Sequence, residues 1–249
     1  MIVAMISAEY PPQPGGVGDY TYRLGQKLAE RGQHALVFTI ADSRFQIVDL
    51  AIPPFNLQST IYSPKSNWGW PVWRDIRRAI EQIQPDILHI QYQTGAYGMH
   101  PAINFLPWRL RRVAHRPAIV VTAHDLLPPY LFPKAGPLRQ WVTRRLLADA
   151  DAVVLTNEQD YRQVREWEIG DGTLEAGNLP HPFALIPIGS NIVVAPGDGY
   201  DRAAWRARLQ VGADQTLLAY FGLISHTKGL DSLLEALARL PAGYRLLIV

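Results

Sequence analysis

Short, wholly apolar runs alternate along this chain with longer stretches in which apolar residues recur every three or four positions. The first pattern belongs to strands buried on both faces, the second to helices with one face in a core. Ile2–Ile6, IVAMI, opens the series as a strand. Residues 20–31 follow as a helix with Thr21, Leu24 and Leu28 on one face and Gly32 placed to end it. Strands are expected over 34–40 and 45–52, then an irregular loop over 56–70 holding Trp68 and Trp70. A helix over 72–84 turns Val72, Ile76, Ile80 and Ile83 inward and is stopped by Pro85. The strand DILHIQY at 86–92, a proline-interrupted helical region at 99–115 and the strand AIVVTA at 118–123 continue the alternation. A helix over 136–149, a strand over 152–156, a helix over 158–167, a loop over 169–182 and a strand over 184–188 complete it.

This alternation predicts an α/β fold, a parallel sheet of about seven strands with helices on both faces. The composition then shifts: GSNIVVAPGDGY at 189–200 has the small residues of an interdomain connection. Beyond a short helix over 201–210, residues 216–221, 230–240 and 244–249 make a fresh β-α-β unit. One such unit has too few layers to bury its own faces, and Leu217, Ala219, Phe221, Leu246 and Ile248 are left needing a partner. The expected organisation is a first domain over 1–190, a linker and short helix over 191–212, and the truncated start of a second domain over 213–249.

The candidate chemistry begins in SAEYPPQPGGVGDYT, residues 7–21. Strand, glycine-rich turn and helix together point unpaired backbone N–H groups at an anion. Gly15, Gly16 and Gly18 remove side chains that would keep a phosphate or sugar from the backbone, and Pro11, Pro12 and Pro14 stiffen the approach. A dinucleotide fingerprint starting at Gly16 would need glycine at 21, where Thr21 stands, although Asp42 is placed to bind a ribose. A phosphate-binding G-x-x-x-x-G-K-[ST] loop is absent from the sequence.

Composition narrows the picture at a few points. Of 249 residues, 48% are hydrophobic and 18% charged, enough for a core and too apolar for disorder. A net charge of +2 gives no footprint for nucleic acid. With no cysteines there are neither disulfides nor thiolate metal sites, which suits the cytoplasm, and no histidine pair has metal-binding spacing. MIVAMISAEY lacks the basic start of a secretory signal, and no apolar run approaches the ~20 residues of a membrane span.

YPPQPGGVGDY resembles the first loop of the family 4 (group 1) glycosyltransferases, and further motifs follow in the order that family shows: PDILHIQY, VVTAHDLLP, ADADAVVLTNE, LIPIGSNI and FGLISHTKGLDSLLEAL. The resemblance covers nearly the whole chain. It implies the GT-B fold, with 1–190 as the N-terminal, acceptor-side Rossmann-like domain and 213–249 as the opening of the donor-binding one. It implies transfer of a sugar from a nucleotide-sugar co-substrate to a sugar, lipid-linked or other small acceptor with retention of configuration, without a bound metal. The family's paired-glutamate motif would lie beyond Val249, so residues 1–249 alone are expected to be inactive and to bind donor weakly. Their uncovered strands are expected to be mobile or to pair with another molecule.

The resemblance assigns His124, at the exit of a core strand, to contact with the donor sugar near the reacting carbon. A strand-end histidine bonded to a neighbouring loop is the plainer alternative. Asp125 would orient His124 or cap the next turn. Lys228, before a helix, suits a donor diphosphate, although Leu223 stands where the family commonly has arginine. Ser225, His226 and Thr227 are left as further donors. His89 and Gln91 leave their strand on one face while Tyr92 points oppositely, and one of the two is expected to touch the acceptor; with Tyr10, Asp19 and Asp125 they form the candidate acceptor-side set. WRLRRVAHR at 108–116 and PLRQWVTRRLL at 137–147 read as amphipathic core helices, with contact to anionic lipid at a membrane surface as the alternative. A GT-B sugar-nucleotide epimerase and a non-catalytic sugar- or nucleotide-binding module are the rival functions.

Overall fold

A computed structural model describes residues 1–50, 58–63, 65–126, 136–169, 182–190, 197–222, 224 and 228–249. The loop expected over 169–182 falls almost wholly outside these residues, as do Leu223, Ser225, His226 and Thr227. Two compact units divide the chain, Met1–Gly189 and Ser190–Val249.

The first unit is built on one sheet. Its strands are β1 (Ile2–Ile6), β2 (His34–Ala41), β3 (Arg44–Asp49), β4 (Gln58–Ser63), β5 (Ile87–Tyr92), β6 (Ala118–Ala123), β7 (Ala152–Leu155) and β8 (Phe183–Leu185), in the spatial order β4-β3-β2-β1-β5-β6-β7-β8. Strand order runs outward in opposite directions from β1, so the carboxyl ends of β1 and β5 flank the point where an open α/β sheet leaves a crevice. Helices α1 (Gly16–Glu30), α2 (Val72–Ile83), α3 (Leu106–Leu110), α4 (Gly136–Ala148) and α5 (Glu158–Ile169) accompany the sheet. One face, carrying Ala4, Ile6, Ile90 and Val121, packs with Ile76 and Ile80 of α2, Leu106 and Leu110 of α3, and Leu146 and Leu147 of α4. The other, carrying Val3, Met5 and Val37, packs with Tyr22, Leu24 and Leu28 of α1.

The sheet is not parallel throughout. β3 pairs antiparallel with β2, and β4 antiparallel with β3. The cause lies in Asp42 and Ser43, whose φ values of 50° and 59° make the two-residue hairpin turn that matches strand twist. Asp42 therefore belongs to a hairpin. β4 also occupies part of the stretch expected to be irregular: 58–63, QSTIYS, alternates too briefly to stand out, and its pairing with β3 makes it a strand.

Helix α1 starts four residues earlier than its apolar periodicity suggests. Gly15 is extended (φ 174°), and the Glu9 carboxylate packs against the start of the helix, where the Val17 N–H favours its charge. Gly25, inside α1, lies where Leu50 and Met5 press in; a Cβ there would stand 2.3 Å from Leu50 Cδ1.

The two basic stretches bury Leu110, Val142, Leu146 and Leu147. Asp149, its side chain almost wholly buried, is held by Arg111 and by Arg145 at 2.6 Å, and Arg116 pairs with Asp151 at 2.8 Å. Trp108 stands out at 48% exposed.

In the second unit Asp201 caps α6 (Arg202–Arg208), accepting the Ala203 and Ala204 N–H groups at 2.7 and 3.2 Å. β9 (Thr216–Tyr220) and β10 (Tyr244–Ile248) pair in parallel beside α7 (Leu230–Ala238). Phe221 is 75% exposed, and Ile224, Leu234 and Ile248 are exposed as well.

Candidate functional site

His124 follows β6 directly, and its N–H donates to Tyr92 O at 2.8 Å. The pairing Gln91↔Thr122 puts His89, Gln91, Thr122 and His124 on one face of the sheet, at the carboxyl ends of β5 and β6. His124 Nε2 lies 3.1 Å from Gln91 Oε1, and His89 Nε2 lies 2.7 Å from Thr122 Oγ1. Tyr20 of α1 sets its ring edge-on to His124, with centroids 4.9 Å apart at 80°. Burial pushes the His124 pKa down to about 4. It does the same to His89, where a charge on His124 adds to the effect. Both imidazoles are therefore neutral at pH 7, and His124 is a hydrogen-bonding group there, not a cation.

Gln91 and Tyr92 diverge as the strand pleat requires. Gln91 is fully buried toward His124. Tyr92 points the other way, its hydroxyl accepting from Thr94 at 2.8 Å and from Asn104 Nδ2 at 2.8 Å. Asp125, half-buried, lines a cavity of about 450 Å³ with Leu126, Gln140, Thr143, Gln163 and Trp167.

The three loop glycines have separate reasons to be glycine. A Cβ on Gly15 would meet Glu9 Oε2 at 2.1 Å, and one on Gly18 would stand 2.9 Å from the Glu9 backbone. A Cβ on Gly16 would meet nothing within 4 Å. Gly15 and Gly18 thus make room for the chain's own Glu9, whereas nothing internal requires Gly16. Tyr10 is buried against Tyr22 at 6.3 Å between centroids. Asp19 is exposed in the first turn of α1. Lys228 is exposed in the second unit, just before α7. Glu9 and Tyr20 escape sequence reasoning, because a carboxylate seven residues ahead of a helix and a tyrosine inside it leave no periodic mark. Among the described residues no group of three or more His, Cys, Asp or Glu could hold a metal, and no helix is long and apolar enough to cross a membrane.

Two expectations follow. Gly18→Ala should destabilise the protein by about 1–3 kcal/mol through overpacking against backbone. Gly16→Ala should lie within about 0.5 kcal/mol of the native protein. Urea unfolding of the two variants checks the difference, and equal stabilities would remove Glu9 as the reason for Gly18. The second concerns pH. With folded pKa values near 4 against about 6.5 unfolded, the unfolded chain binds more protons between these limits. The histidine contribution is present above pH 6.5 and lost as pH falls toward 4. His89→Leu should flatten the fall in thermal midpoint between pH 7 and 5; an unchanged slope would refute the assignment to His89.

A sequence profile described as "Glycosyl transferase 4-like domain" matches residues 15–175. No curated protein matches the chain. Among solved structures, a sucrose-phosphate synthase from Thermosynechococcus elongatus is similar over 77% of this chain and 91% of its own, at 19% identity and a TM-score of 0.47. The profile spans most of the first unit, including Gly15, Gly16, Gly18, His89, His124 and Asp125, and on that match the chain belongs to the glycosyl transferase 4-like family of glycosyltransferases.

Proposed function

We propose that this protein moves a sugar from a nucleotide-sugar donor to an acceptor with retention of configuration, and that His124 meets the donor sugar. The observation that carries the reading is the pairing of an open backbone with a neutral imidazole at the crevice of the sheet. Gly16 lies one helical turn before Tyr20, and the Tyr20 ring touches His124. An exposed amide at a helix start suits a diphosphate oxygen, and a neutral imidazole suits an uncharged sugar. In the second unit, taken by itself, Lys228 is a candidate point charge for a donor phosphate, exposed just before α7. His89, spent on Thr122, and Tyr10, spent in the core beneath α1, are structural in this reading.

The test supplies radiolabelled sugar nucleotides and candidate acceptors to the protein as its gene encodes it, and reads labelled product by its anomeric configuration. Label on an acceptor with inverted configuration would overturn the retaining mechanism. A changed sugar nucleotide formed with no acceptor present would overturn transfer altogether. Gly16→Val should leave the thermal midpoint within a few degrees while weakening donor binding in calorimetry, and unchanged affinity would exclude Gly16 from the donor site.

A further inference from the structure

We propose that Gln91 is a positioning residue that fixes the tautomer of His124, holding the imidazole proton on Nδ1 so that His124 meets its ligand as a hydrogen-bond donor. The inference deepens the reading of His124 as the sugar-facing group and rests on it for its meaning in catalysis, though not for its test.

Three observations carry it. Gln91 is completely buried, so it cannot itself reach an acceptor at the surface, and its side chain ends 3.1 Å from His124 Nε2. One end of its amide faces Nε2, and the other end is buried with no hydrogen-bond partner among the described residues. The ring is held from a second side by Tyr20, so it cannot rotate freely to trade one nitrogen for the other.

The chemistry then chooses between two arrangements. With the carbonyl turned to His124, Nε2–H donates and an NH2 group, carrying two donors, is left buried and unpaired. With the amide turned end for end, one of its N–H groups donates to the Nε2 lone pair, so a single N–H and the carbonyl are left in place of two unpaired N–H groups. Buried unpaired N–H groups are rarer in folded proteins than under-satisfied carbonyls, and an amide's two ends are close to isosteric. The second arrangement is favoured, and it leaves the proton on Nδ1. That nitrogen makes no hydrogen bond among the described residues. Its ligand partner must therefore be an oxygen that accepts: a sugar ether or hydroxyl oxygen, or a phosphate oxygen.

The tautomer is read directly from long-range proton–nitrogen correlations of histidine in the labelled chain at pH 7. The native protein should show protonated Nδ1 and bare Nε2 at His124, identified by the loss of its signals in His124→Gln. Gln91→Leu should move the proton toward Nε2. Gln91→Glu, whose carboxylate can only accept, should place it there and carry the charged imidazole to higher pH. Gln91→Met replaces the leucine variant if that one does not fold. A native Nε2–H tautomer overturns the proposal, as does an unchanged pattern in a folded leucine or methionine variant; the native measurement decides even if no variant folds. Failure to find sugar transfer, with the tautomer as expected, would overturn the function and leave this inference standing.

Discussion

Replacing Arg111 and Arg145 together by alanine is expected to destabilise the first unit by about 3–5 kcal/mol, among the largest effects any pair of substitutions here should have. Asp149 is buried at the end of α4, and these two guanidinium groups hold it. Each arginine reaches it from partly exposed ground, so removing one leaves the other to neutralise the carboxylate. Removing both strands an uncompensated charge in the interior, where its desolvation is no longer offset. Asp149→Asn in the same background should restore part of the loss, because a neutral amide needs no counter-charge. Chemical denaturation of the single, double and rescued variants measures all three steps. A double variant no less stable than the sum of two surface truncations, roughly 1 kcal/mol, would show that Asp149 is solvated in solution.

Loss of the His124 imidazole should lower transfer about 10²–10³-fold, the usual consequence of deleting one positioned donor from a reacting centre. The fold should survive His124→Ala, because the backbone bond from His124 N to Tyr92 O does not depend on the side chain. The pH profile separates this role from that of a proton-transferring base. With a pKa near 4, His124 keeps one protonation state from pH 5 to 8, so no ionisation of this group should bend the rate across that range. A bend near pH 6.5 that vanishes in His124→Ala would contradict a permanently neutral imidazole. Gln91→Leu should lower kcat more than it raises KM, since it changes how the ring is presented and not whether sugar can enter.

Much of this architecture is legible without coordinates, for a physical reason. Buried parallel strands must be apolar along their length, and helices covering them must be apolar every third or fourth residue. Ile2–Ile6, Ala118–Ala123 and the amphipathic stretch that forms α2 therefore announce themselves. The place of His124 is legible too, because it directly follows an unbroken apolar strand. The basic stretches of α3 and α4 show their apolar faces clearly, yet local sequence cannot say that Arg111 and Arg145 converge on Asp149. The antiparallel edge of β3 and β4 depends on a two-residue turn and on pairing across it, and neither has a long-range pattern. The early start of α1 brings Gly15 and Gly18 against Glu9, a proximity that exists only once the proline-rich loop has folded back. Three glycines look alike in the sequence, and only the positions of Glu9 and open space distinguish Gly15 and Gly18 from Gly16. Gln91 and His124, 33 residues apart, meet because β5 and β6 lie side by side in register. Periodicity records what each segment buries. Which polar groups share a buried face is decided by strand order and register, and these exist only in the folded sheet.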